Sequence, residues 1–103
     1  MVKLYPRKKL EIIVEPAILA RVEEVLVKAG AKGYTVLQGS RGFGASGAWL
    51  EDTLSNADGM VLIDVILTEE AAAAVLEELL PLLDAWRGVA TVSDVQVLRP
   101  DRF

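Results

Sequence analysis

Six of the eight glycines in this 103-residue chain lie in one stretch, GAKGYTVLQGSRGFGASG, from Gly30 to Gly47. Arg41 stands in its second half. A glycine costs roughly 0.5–1 kcal/mol against alanine inside a helix or strand, so a core element has no use for such density. A loop that bends sharply, exposes backbone N–H groups or admits a ligand does. The stretch reads as a binding site with Arg41 at its entrance.

The missing chemistry narrows the field. There is no cysteine, hence no disulfide, no thiolate metal site and no cysteine nucleophile. There is no histidine, which removes the commonest general base and the commonest metal ligand together. The carboxylates form no metal-binding motif. A formal net charge of −4 argues against nucleic-acid binding, which needs a basic footprint. No apolar run reaches membrane-spanning length, and the first residues lack the apolar core of a signal peptide. The length suits a single domain, 1–103, expected in the cytoplasm.

Several elements must position the glycine-rich stretch. Residues 1–9, with Lys3, Arg7, Lys8 and Lys9, read as a tail ordered only in part. LEIIV, Leu10 to Val14, reads as a strand. Pro16 opens a helix whose apolar face is Ile18, Val22, Val25, Leu26 and Ala29, with Arg21, Glu24 and Lys28 opposite. Gly30 ends it as a left-handed cap. Tyr34 to Gln38 is a second strand, followed by a loop from about Gly39 to Gly59. Met60 to Leu67, MVLIDVIL, is the most apolar strand. Thr68 caps a second helix, with Glu69 and Glu70 in its first turn and Val75, Leu76, Leu79 and Leu80 facing inward. Pro81 is expected to kink or interrupt that helix. Gly88 breaks the chain, Thr91 to Leu98 is the last strand, and Arg99 to Phe103 is a polar tail.

The order β-α-β-β-α-β implies an α+β, ferredoxin-like fold with two helices on one face of an antiparallel sheet. Val61, Ile63 and Val65 alternate with Leu62, Asp64 and Ile66, so both faces of that strand carry apolar residues. A sheet with one wet face shows cleaner alternation. The second face is therefore expected to be buried against other copies in a closed symmetric oligomer.

The fold alone assigns no activity. A copper chaperone needs a cysteine pair. An RNA-recognition domain needs aromatic residues on two central strands and a basic face. An acylphosphatase needs a phosphate-cradling arginine and a water-orienting amide, and the spacing of Arg41 and Asn56 gives that no support.

LEIIVEP, a helix, AGAKGYTV, SRGFG and a long loop before a hydrophobic strand together resemble the PII signalling superfamily, over nearly the whole chain. GYTV followed by GFG is the most specific part. It sits where the family's mobile T-loop begins, here about 45–59. The loop lacks the uridylylated tyrosine of nitrogen-sensing members, and WRGVATV lacks their Gly-Asp-Gly-Lys phosphate loop. The resemblance is closer to the PII-like proteins of inorganic-carbon metabolism, particularly the carboxysome-associated branch. It implies a PII-like homotrimer that binds adenine nucleotides, ADP or AMP, in clefts between subunits, with bicarbonate as a further effector and no metal or other cofactor.

Residue by residue, the resemblance places Gly33 and Thr35 on the base and ribose side of the cleft and Ile13 and Ile66 as an apolar wall beside adenine. Arg41, Gly42, Phe43 and Gly44 match the T-loop base, where free N–H groups and a guanidinium would face phosphate or bicarbonate. Arg87, Gly88 and Val89 match the loop that the neighbouring subunit contributes. Arg99 matches an arginine after the last strand, and Arg102 a second one. Plain readings stand beside each: a turn for Gly33 and for 42–44, strand surface for Thr35, core for Ile13 and Ile66, solvated cations for the arginines. Asp64 would accept hydrogen bonds from a ribose or Arg41, or form an inter-subunit salt bridge. Trp49 and Leu50 are odd apolar residues in a polar loop, expected to pack on a ligand or a partner in one state.

The function implied is a non-enzymatic regulatory sensor. Ordering of loop 45–59 would signal to a regulated protein, a transporter or a carboxysome-related one. A small phosphoanhydride-hydrolysing enzyme in the same cleft and a purely structural trimer are the alternatives.

Overall fold

The computed structural model describes residues 1–44, 47–50 and 59–103. The expected mobile loop, 45–59, falls largely on positions 45, 46 and 51–58, which lie outside the described residues.

Strand β1 (Tyr5–Val14) leads through a 3-10 turn at Pro16–Ile18 into helix α1 (Leu19–Lys28). Strands β2 (Thr35–Gln38), β3 (Arg41–Gly44), β4 (Gly47–Leu50) and β5 (Val61–Leu67) follow, then helix α2 (Glu69–Ala85) and strand β6 (Gly88–Val97). The main sheet has four strands in the order β2-β5-β1-β6, every neighbouring pair antiparallel. This is the ferredoxin-like fold expected from the element order.

Both helices cover one face of the sheet. Leu10, Ile12 and Val14 of β1 and Val61, Ile63, Val65 and Leu67 of β5 are buried there against Val22 and Leu26 of α1 and Ala72, Val75, Leu79 and Leu82 of α2. Each such large side chain contributes about 1.5–3 kcal/mol when fully buried. Gly30 ends α1 at φ +90, the left-handed region. Thr68 caps α2 by accepting a 3.2 Å hydrogen bond from the Ala71 N–H.

The opposite face is open. Leu37, Leu62, Ile13 and Val89 lie in one cross-strand row over all four strands. Further along this face, Lys9 Nζ stands 3.5 Å from Glu11 Oε1 and 3.6 Å from Asp64 Oδ2. Asp64 thus has an ion-pair partner within its own chain, Lys9.

Five expectations need correction. Strand β1 begins at Tyr5, inside the expected tail, because β6 supplies backbone partners from Tyr5↔Val97 onward and Lys8 pairs with Asp94. The Arg7 guanidinium also donates a 3.0 Å bond to the Pro100 carbonyl. Strand β6 starts at Gly88, where a break was expected. Helix α2 runs through Pro81 without interruption. The carbonyl that Pro81 leaves unpaired belongs to Glu77, which is exposed to water, while buried Leu79 and Leu82 hold the helix on either side. Leu80 faces solvent, because the buried stripe runs 72, 75, 79, 82. Finally, the expected loop after β2 contains the two-stranded ribbon β3-β4, with Phe43 opposite Ala48.

Candidate functional site

Gly88 packs the entry of β6 against the end of β1. A Cβ there would stand 2.7 Å from Leu83 Cδ2, 2.9 Å from Val14 Cγ1 and 3.1 Å from the Ile13 carbonyl. The turn before it is fastened by Glu15. The Arg87 N–H donates to Glu15 Oε1 at 2.7 Å, the Glu15 N–H donates to the Arg87 carbonyl at 3.4 Å, and Arg87 Nε lies 3.6 Å from the same carboxylate oxygen. The ribbon is rooted on β5 by a 2.9 Å bond from the Gly39 N–H to the Met60 carbonyl. Trp49, on β4, lies against Gly39 and Gly42, where only glycine leaves room for the indole. Gly47 at φ +99 turns the ribbon in a conformation that side chains avoid.

These pieces enclose a cavity of about 560 Å³ lined by Ile13, Gly42, Phe43, Gly44, Gly47, Trp49, Met60, Trp86, Arg87, Gly88 and Val89. Its wall is mostly apolar and aromatic, with Arg87 the one ionisable side chain among these residues. Such a wall suits a flat, largely apolar ring system, and the guanidinium suits an attached anion. A groove of about 550 Å³ between α1 and α2 holds none of the residues expected in the site.

Seven of the twelve expected residues meet in the cavity: Ile13, Gly42, Phe43, Gly44, Arg87, Gly88 and Val89. Residues 87–89, expected to face 42–44 from a neighbouring subunit, share one cavity with them in a single chain. Arg41 opens β3 and is exposed, outside the lining. The other four lie outside the cavity lining and are spread along the sheet rather than gathered at one place. Thr35 begins β2 beside Asp64, just after Gly33, and Ile66 sits opposite Lys9. Ile66 is therefore four residues along β5 from the Leu62 that faces Ile13, about 13 Å away. Arg99 follows the far end of β6, about 30 Å along that strand from Gly88. Arg102 is exposed and its Nε is 4.0 Å from Asp101. Sequence reasoning missed Glu15, Met60 and Trp86; Gly47 closed the glycine-rich stretch read as a binding site, and Trp49 was expected to pack on a ligand or a partner. Two tryptophans converging from separate segments were the available signal.

Residues 7–102 match the family described as nitrogen regulatory protein P-II. The chain belongs to the P-II family. CPII of Thiomonas intermedia K12, a nitrogen regulatory PII-like protein in a structure bound to ADP, AMP and bicarbonate, is 38% identical with a TM-score of 0.92, covering 100% of this chain and 98% of that one. A structure of CPII bound to ADP and bicarbonate gives 38% and 0.91, covering 100% and 99%. A Thermus thermophilus protein is 26% identical with a TM-score of 0.80, covering 99% of each chain. No curated protein matches the chain. P-II proteins are generally non-enzymatic signalling proteins, and this one is a PII-like regulatory protein. No group of acidic side chains among the described residues is arranged to hold a metal ion, and no helix there is long and apolar enough to cross a membrane.

Proposed function

We propose that this P-II protein is a non-enzymatic cytoplasmic sensor of adenine nucleotides, ADP or AMP, with bicarbonate as co-effector. The observation that carries the reading is the single cavity in which the Gly42–Gly44 backbone, the two tryptophans and Arg87 converge. Its likeness to CPII, seen bound to ADP, AMP and bicarbonate, supports the ligand set.

The seven cavity residues gather at the Gly88 end of the sheet, whereas Thr35 lies three residues along from the Gly88 row, Ile66 farther, and Arg99 beyond the Tyr5↔Val97 row at the other end. A head-to-tail contact between copies brings opposite ends together, and a ring closes such contacts without leaving free ends. In the proposed homotrimer each nucleotide lies between the cavity of one subunit and the far end of the next. The apolar row Leu37, Leu62, Ile13 and Val89 gives the open sheet face a reason to be covered. Bicarbonate would accept hydrogen bonds from the Gly42–Gly44 backbone beside Arg41. The ligands would act by changing the surface that region 45–59 presents to a regulated protein of inorganic-carbon metabolism, a transporter or a carboxysome-related protein.

Calorimetric titration with AMP, ADP, ATP and cyclic AMP, each with and without bicarbonate, tests the reading. Saturable binding of ADP or AMP is expected, at one site per subunit. No heat and no thermal stabilisation with any nucleotide would leave a structural trimer. Release of phosphate from bound ADP would instead favour the phosphoanhydride-hydrolysing enzyme.

A further inference from the structure

Glu15 sits where a side chain would cap the Pro16–Ile18 turn, yet it makes no capping bond. Its carboxylate reaches across to the turn before β6. There it accepts the 2.7 Å bond from the Arg87 N–H and lies 3.6 Å from Arg87 Nε. The Glu15 and Arg87 side chains are 22% and 33% exposed, so water screens them only in part. Arg87 is the one ionisable side chain lining the cavity among the described residues, and Glu15 stands behind it. The pair brings the formal charge at that wall to zero.

We propose that Glu15 is a specificity-determining residue that sets how strongly the site rewards phosphate charge. This rests on the nucleotide reading above. An anionic group drawn to Arg87 is opposed by Glu15, and the opposition grows with every charge the ligand carries. The first phosphate meets a guanidinium at a turn that the carboxylate fastens through the Arg87 backbone N–H. Further phosphates add charge to a wall that has no net charge to offer. The native chain therefore discriminates weakly between mono-, di- and triphosphates. It selects for the nucleoside and tolerates a low phosphate count.

Glu15→Gln separates charge from geometry, because the amide carbonyl still accepts the Arg87 N–H bond. In titrations at low salt, the variant is expected to gain about threefold for AMP and about thirtyfold for ATP, with ADP between, and adenosine unchanged. The gain should shrink as salt is added. Glu15→Asp, which keeps the charge, should retain the native order of affinities. Equal changes for all three nucleotides and adenosine in Glu15→Gln would make the residue merely structural and overturn the proposal. Should Glu15→Gln fail to fold, the native chain still decides: AMP and ATP affinities within about tenfold of each other are expected, and a steep climb with phosphate number overturns the idea. A native chain that binds none of the four ligands fails the nucleotide reading itself, and this proposal with it. That pattern is distinct from binding that ignores Glu15.

Discussion

Trp49 closes over Gly42. The two are cross-strand partners in the ribbon, and a Cβ on Gly42 would stand 2.4 Å from the indole Cζ2 and 2.9 Å from its Nε1. Glycine is required there for space. Gly42→Ala must push the indole away from the backbone, at a cost of about 1–3 kcal/mol for overpacking. ADP affinity should fall by about tenfold or more in calorimetry. In a Trp49→Ala background the same change should cost much less, since the clash is gone. An equal loss in both backgrounds would break the link between the two residues.

Gly88→Ala should destabilise the fold itself. Its Cβ would meet Leu83, Val14 and the Ile13 carbonyl at 2.7–3.1 Å. One of these contacts is the core side chain of Val14, one is the half-buried Leu83 and one is backbone, so relief needs movement of β1 or β6. Urea unfolding should show a loss of about 1–3 kcal/mol. An unchanged midpoint would contradict the packing described.

Arg99→Ala should weaken ADP binding by about 1.5–3 kcal/mol, as expected for a lost charged hydrogen bond. If Arg99 serves the cavity of a neighbouring copy, Arg87→Ala and Arg99→Ala subunits complement each other. Refolding the two variants together should restore sites of native affinity in a fraction of the mixed trimers. Absence of any restored sites would place both arginines in one subunit's contribution.

Tyr34 donates a 2.6 Å hydrogen bond to Glu23, and the bond to that carboxylate holds the phenol's pKa above its ordinary value of 10.0. The folded chain keeps this proton more tightly than the unfolded one. Its stabilisation is therefore complete below pH 10 and is lost as pH rises through the raised pKa. Tyr34→Phe should melt at a lower temperature than the native chain at pH 7. That gap should hold to about pH 9 and close in more alkaline buffer. A gap that persists at high pH would mean the phenol–carboxylate bond contributes nothing.

Bicarbonate should tighten ADP binding, and ADP should tighten bicarbonate binding by the same factor, because linkage is reciprocal. Two anions near one wall repel, so a positive coupling needs shared ordering of the protein to offset it. Titrations at constant pH and ionic strength measure the factor from both sides. ADP affinity indifferent to bicarbonate would leave an uncoupled nucleotide-binding protein.

Much of this fold was legible in residue pattern. MVLIDVIL, the 3.6-residue spacing from Ile18 to Ala29, Gly30 and Thr68 each fix an element by local chemistry. The extra half of β1 was not legible, because YPRKK has no apolar alternation and is a strand through its pairing with β6. RGFG and GAWL hid for a similar reason: glycine depresses strand propensity, while cross-strand bonds and the indole over Gly42 hold the ribbon. At the site, the resemblance supplied residues and assigned 87–89 to a neighbouring subunit, whereas they share a cavity with 42–44 in one chain. Which of them share a subunit depends on sheet register, which brings Ile13 beside Val89 and leaves Ile66 about 13 Å away along β5. The Glu15 clamp depends on two segments 72 positions apart meeting at one turn, and no local pattern announces that.

The chain carries two tryptophans, and both line the same cavity. Excited at the red edge of aromatic absorption, the protein therefore emits light from that one place. The tyrosines, Tyr5 and Tyr34, stand outside the cavity wall and are silent at that wavelength. An occupant arriving beside the indoles, or a ribbon shifting off Gly42, would change the colour or brightness of the native molecule. The site comes with its own optical reporter, readable in a stopped-flow instrument without dye, tag or substitution.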